Sequence, residues 1–141
     1  METIRYKLGL HGIIHKMLLI KTYLGESLNK GLGLFAEEFI PKNTIIWQFI
    51  EGFDIKVHKE KYETLTELQK NHIDKYFWRE GDYYYSSCDH SIFQNHSNNP
   101  NSIELGKDKM IAARDIYPNE EIVVCYENFD DDFELYKNTL I

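Results

Sequence analysis

The chain has 141 residues, 43% of them hydrophobic and 14% aromatic, and a formal net charge of −7. That length suits one domain spanning residues 1–141 around one core, while the acidic balance disfavours broad binding to a nucleic-acid backbone and suits a basic protein or peptide partner. Two cysteines, Cys88 and Cys125, give neither a C-x-x-C pair nor a framework of bridges, which points to an intracellular, reducing compartment and leaves cytoplasm and nucleus undivided.

In chain order, "METIRYKLGLHGIIHKMLLIKTYL" has apolar patches, but Arg5, Lys7, His11, His15, Lys16 and Lys21 interrupt them. Neither a signal-peptide core nor a membrane span fits. "KMLLIKTY", Lys16 to Tyr23, reads as a strand, followed by a turn-rich "GESLNKGLG" and the short apolar "LFAEEF". "IPKNTIIWQF" supplies a turn and then a strand from Thr44 to Phe49. Between His58 and Phe77, Tyr62, Leu65, Leu68, His72, Ile73, Tyr76 and Phe77 recur at three- and four-residue spacing, the pattern of one amphipathic helix. "GDYYYSS" is strand-like, "KMIAARDIYPNEEIVVCYENF" reads as strand, turn, strand, and "DDDFELYKNTLI" ends in a short helix with aspartates at its amino end. Short strands around one helix define a β-rich α+β class.

The polar "NHSNNPN" at 95–101 sits between apolar runs, where unpaired Asn and His groups would cost about 1–3 kcal/mol each if buried. Such a loop lies at the surface or has its groups bound. Gly31 and Gly33 alone mark a turn or a close backbone approach, and they lack the third glycine and following helix of a dinucleotide fingerprint.

Taken in order, "KGLGLFAEEFIPKNTII", "NHSNNPN" and "ARDIYPNEEIVVCY" resemble the motifs of the SET-domain protein-lysine methyltransferases over about residues 17–129, leaving a tail of 130–141. The resemblance implies a β-clip-like fold of small curved sheets, whose carboxy-terminal strand passes under the "NHS" loop as a pseudoknot. It implies S-adenosylmethionine on one face, held by Lys30, Gly31, Leu32, Gly33, Asn95 and His96, with Tyr83 as a further cofactor-side residue. The target lysine of a protein such as a histone would reach Tyr126, the catalytic residue, through a channel lined by Phe49, Tyr85 and Phe129. No metal is expected, and no general base is evident. Ser97, Asn98 and Asn99 would mainly shape the turn.

The chain departs from that pattern in places. Phe49 stands where a channel tyrosine is frequent, Asn98 and Cys125 replace a frequent cysteine and aspartate, Gln94 replaces an apolar residue, and Pro118-Asn119 stands where a glycine usually precedes the glutamate pair. No cysteine-rich segment flanks the motifs, so the tail is expected to complete the channel. Two other readings compete: a catalytically silent SET-like module that binds peptide or cofactor, and a metal-dependent hydrolase using Cys88, His90 and His96, with Asp89. A homodimer completing the groove stays open, without an interface signature.

Overall fold

A computed structural model describes residues 18–28, 30–106 and 108–140. Strand β1 (Thr22–Ser27) turns back into β2 (Gly31–Ala36) as an antiparallel hairpin, with Tyr23 opposite Phe35 and Ser27 opposite Gly31. The first strand therefore lies later than the sequence suggests, and "GES" and "GLG" are paired strand rather than turn. The expectation for Lys16 and Met17 falls outside the described residues. Leu18 makes an isolated bridge to Trp47 of β3 (Ile45–Gln48).

After β4 (Ile55–His58), the expected single helix is two: α1 (Lys59–Glu63) and α2 (Glu67–Tyr76). Thr66 accounts for the break, because its hydroxyl accepts from the Gln69 amide while the Gln69 side chain accepts from the Thr66 amide. That reciprocal capping box starts a new helix. Only Ile73 of α2 is buried, and Leu68 is 80% exposed, so the anticipated apolar stripe does not pack as one face.

Strands β5 (Trp78–Glu80) and β6 (Tyr83–Ser86) join β4 in the order β4-β6-β5. Beyond a 3-10 turn at His90–Phe93 come β7 (Asn95–His96), β8 (Ser102–Glu104), β9 (Lys109–Ala112) and β10 (Val123–Val124). β9 is the centre of a second antiparallel sheet ordered β3-β9-β8, and β10 runs parallel to β7. The tail forms α3 (Phe133–Tyr136) and a 3-10 turn.

The core gathers where the sheets meet, with Leu34, Ile40, Ile46, Ala112, Ile116, Ile122 and Val124 almost fully buried. Each large aliphatic side chain among them contributes about 1.5–3 kcal/mol by leaving water. Asn43 and Asn119 both take φ of 70°, so Asn119 supports the left-handed turn where a glycine was expected.

Residues 119–124 hold the architecture together, being bonded along both edges. On one side the Ile122 amide donates to the Leu34 carbonyl at 2.7 Å and the Ala36 amide to the Glu120 carbonyl at 2.9 Å. On the other, buried Asn101 donates through Nδ2 to the Glu121 carbonyl and accepts through Oδ1 from the Val123 amide, both at 2.8 Å. Ser102 Oγ donates to the Val123 carbonyl and the Ser97 amide to the Val124 carbonyl. These are contacts expected where a carboxy-terminal strand lies against the 94–102 loop.

Asn101→Ala leaves the Glu121 carbonyl and Val123 amide unpaired, and denaturant unfolding is expected to show a loss of roughly 2–4 kcal/mol.

Candidate active site

Gln94, unexplained by the sequence, is central. Its side chain is buried and donates through Nε2 to Ser102 Oγ at 2.7 Å, while its carbonyl accepts the Tyr126 hydroxyl at 2.6 Å. The Tyr126 amide donates to His96 Nδ1 at 3.1 Å. That assigns the other ring proton: with Nδ1 accepting, Nε2 carries hydrogen and donates to Asn98 Oδ1 at 3.1 Å. Tyr126 is thus held at both its backbone and its hydroxyl. Burial, and secondarily the charges of Asp130 and Glu121, pushes its phenol up to about 12, so it stays protonated at neutral pH.

Asn95 donates through Nδ2 to the Leu32 carbonyl at 3.0 Å and to Glu121 Oε1 at 2.8 Å, and Glu121 Oε2 accepts the Ser27 hydroxyl at 2.9 Å. Glu121 therefore joins β1, β2 and β7. A Cβ on Gly33 would fall 2.4 Å from Glu121 Oε1, so a side chain there would displace the Glu121 carboxylate from its bonds to Asn95 and Ser27. The Lys30 ammonium donates to the His96 carbonyl. Lys30, Gly31, Leu32, Gly33, Asn95 and His96 are hence brought together, with the Asn95 and His96 side chains satisfied by the protein itself. Ser97 Oγ accepts from the Asn99 amide, the turn-shaping role expected of it. Tyr83 stands apart from this group: its ring contacts are with His58, Lys56 and Tyr85.

An aromatic chain leads away from Tyr126. Phe129 meets Tyr126 and Trp78 edge-on, each at 5.9 Å between ring centres; Trp78 stacks on Tyr85 at 5.8 Å; and Phe49 meets Tyr85 at 5.8 Å. The three expected channel residues are joined through Trp78, which sequence reasoning passed over. Beside them is a cavity of about 410 Å³, the size of a small-ligand pocket. Tyr126, Phe129, Trp47 and Trp78 form its aromatic wall, whereas Phe49 and Tyr85 are not on its surface and support it from behind.

The end of α2 reaches the cavity through Asp74, Lys75 and Tyr76, and the tail through Asp130, Tyr136 and Leu140. The tail aspartates do not cap α3; Asp130 accepts the Arg79 amide and the Tyr136 hydroxyl, and Asp132 pairs with the Arg79 guanidinium at 2.7 Å. Cys88, His90 and His96 form no cluster of metal-binding geometry among the described residues, and Asp89 is engaged by the Leu18 amide and Ser91.

Glu104 also faces the cavity. Burial, with a smaller contribution from the charge of Glu80, pushes its carboxyl up to about 8. In Ser102-Ile103-Glu104 the apolar residue is exposed and the polar neighbours turn inward, the reverse of a strand with a solvated face, so the sequence pattern pointed away from Glu104.

Fold and site together define a β-rich protein with a polar loop bonded to a carboxy-terminal strand beside a buried tyrosine. The SET domain family model matches residues 31–127, and the chain belongs to that family. Among solved structures it is similar to the candidate histone methyltransferase PFL0690c of Plasmodium falciparum, with 28% identity, a TM-score of 0.57, and coverage of 76% of this chain and 93% of that one. It shares its fold with a chain of Chaetomium thermophilum Polycomb Repressive Complex 2 bound to GSK126, at 18% identity and a TM-score of 0.64, covering 86% of this chain and 18% of that one. No curated protein matches. Family and neighbours support a protein-lysine methyltransferase in general terms.

Glu104 keeps its proton in the folded chain to higher pH than in the unfolded chain, so its stabilising contribution is complete below about pH 4.5 and lost as pH rises to about 8. Wild type is expected to lose on the order of 2 kcal/mol relative to Glu104→Gln between pH 5 and 9, after allowance for partial exposure, in paired denaturant titrations.

Proposed function

We propose that the chain transfers methyl groups from S-adenosylmethionine to a lysine side chain of a basic protein such as a histone. The observation that carries this reading is the Tyr126 hydroxyl, fixed on the Gln94 carbonyl at the wall of an aromatic cavity and next to the Asn95-His96 pair.

The residues present fit the cofactor. Gly31 has φ of +75° and nothing within 4 Å of where a Cβ would sit, while Leu32 is 51% exposed, which leaves an open ledge of backbone and apolar surface beside Lys30, Asn95 and His96. When bound there, S-adenosylmethionine supplies an electrophilic methyl carbon. The protein's own work is to bring a neutral amine to it in line. A lysine of pKa about 10.4 is neutral about once in two to three thousand molecules at pH 7, a handicap of roughly 4–5 kcal/mol. Trp47, Trp78 and Phe129 strip water from the ammonium and favour its neutral form. The anchored Tyr126 hydroxyl orients the nitrogen. Phe49 adds bulk but no hydroxyl to the supporting aromatic layer.

Incubation with labelled S-adenosylmethionine and a panel of basic proteins tests the reading. Wild type is expected to label lysine, and Tyr126→Phe to lower kcat by roughly 100-fold or more while remaining folded; undiminished transfer in the variant contradicts this role. Cofactor binding without any transfer favours the silent module.

The tail lines the cavity through Asp130, Tyr136 and Leu140. Removal of residues 130–141 is expected to abolish transfer in the same assay, and retention of wild-type rates contradicts a channel-completing role.

A further inference from the structure

The cavity wall carries carboxylates whose circumstances differ. Asp74 Oδ1 accepts the Tyr62 hydroxyl at 2.8 Å, and Asp130 is engaged by Arg79, Asp132 and Tyr136. Glu104 has no hydrogen bond or ion pair to its side chain among the described residues. It is not a stray surface acid, because its place in the sheet is set by register: Trp47 of β3 and Glu104 of β8 both lie opposite Met110 of β9. Residues opposite one another across strands share a face, and all three side chains line the cavity. Trp47 adds a buried indole N–H that also lacks a hydrogen-bond partner among the described residues. A partly buried carboxylate without a partner, set among tryptophan and tyrosine rings, is a receptor for a cation.

We propose that Glu104 receives the ammonium of the target lysine and takes one proton from it, the N–H bond breaking as the carboxyl O–H forms and the nitrogen keeping its lone pair. The proposal rests on the lysine-methyltransferase reading and supplies the proton acceptor that the sequence did not reveal.

The groups around Glu104 are consistent with that task. Glu80 on β5 adds negative charge, α2 presents Asp74, Lys75 and Tyr76, the segment after β10 presents Tyr126 and Asp130, and α3 presents Tyr136. The one cation among them, Lys75, lies 5.2 Å over the Tyr76 ring. A carboxyl pushed up to about 8 is a far better proton acceptor for an amine than an ordinary carboxylate, because a smaller gap in pKa remains to be crossed.

The test uses the full chain with its glutamate carboxyls labelled with carbon-13, the Glu104 resonance being assigned by its loss in Glu104→Gln. Titration is followed with and without n-butylammonium, a mimic of the lysine side chain. Butylammonium is expected to lower the Glu104 midpoint by about one unit or more; an unchanged midpoint overturns the proposal. In methyl transfer, kcat/KM of wild type is expected to level off above about pH 8. Glu104→Gln is expected to lie about tenfold or more below it there and to keep rising past pH 10, as the substrate amine alone dictates. Cofactor affinity is expected to be equal in both. A wild-type profile that climbs with unit slope through pH 10 also overturns the proposal. A carboxyl that answers butylammonium in a protein that transfers no methyl leaves the cation receptor standing and defeats the methyltransferase reading instead.

Discussion

The side chain of Asn101 holds one peptide segment in place, and much of the molecule follows from that. By donating to the Glu121 carbonyl and accepting from the Val123 amide, it treats residues 121–123 as a neighbouring strand would. An amide side chain can do this because it carries donor and acceptor in the same spacing as a peptide group. The opposite edge is taken by Leu34 and Ala36, so the carboxy-terminal strand is bonded on both sides by parts of the chain far from it in sequence. Burial of Ile122 and Val124 then sets its faces.

The site is a by-product of this interlock. Once Val123 and Val124 run beside Asn95 and His96, Tyr126 has one place to go, with its amide on the His96 ring and its hydroxyl on the Gln94 carbonyl. The same packing draws Phe129, Trp78 and the tail around a cavity. Burial raises the Tyr126 phenol and the Glu104 carboxyl together, and on the proposed reading the same surroundings also push an entering ammonium toward neutrality. On that reading, binding and chemistry both follow from one cavity.

The motif order made the fold legible, because "KGLGLFA", "NHSNNPN" and "RDIYPNEEI" encode contacts that need those residue types. Glycine at 33 leaves the Glu121 carboxylate in its place, and the Asn101 amide supplies both a donor and an acceptor to residues 121–123. Local readings fared less well where tertiary pairing overrode them: "GES" and "GLG" have turn composition but pair in β1 and β2, and a capping box at Thr66 divided a stretch whose spacing suggested one helix. Gln94 was opaque because its partners, Ser102 and Tyr126, lie 8 and 32 residues away. Trp78 and Glu104 were missed because each sits in a short strand whose facing depends on register, and register is not written in three residues. The polar loop is the sharper lesson. Its Asn95 and His96 side chains find protein partners in Leu32, Glu121, Tyr126 and Asn98, which is how so polar a segment sits between apolar runs.

The dependence of the site on the interlock is open to direct measurement by native-state hydrogen exchange at four amides: Ile122, Val123, Ser97 and Tyr126, which donate to Leu34, Asn101, Val124 and His96. If the carboxy-terminal strand and the polar loop form one cooperative unit, all four exchange with the same opening free energy, equal to that of global unfolding. Exchange at Ser97 and Tyr126 through a low-energy local opening, with Ile122 still protected, would contradict the account, since the site would then come apart while the fold remained.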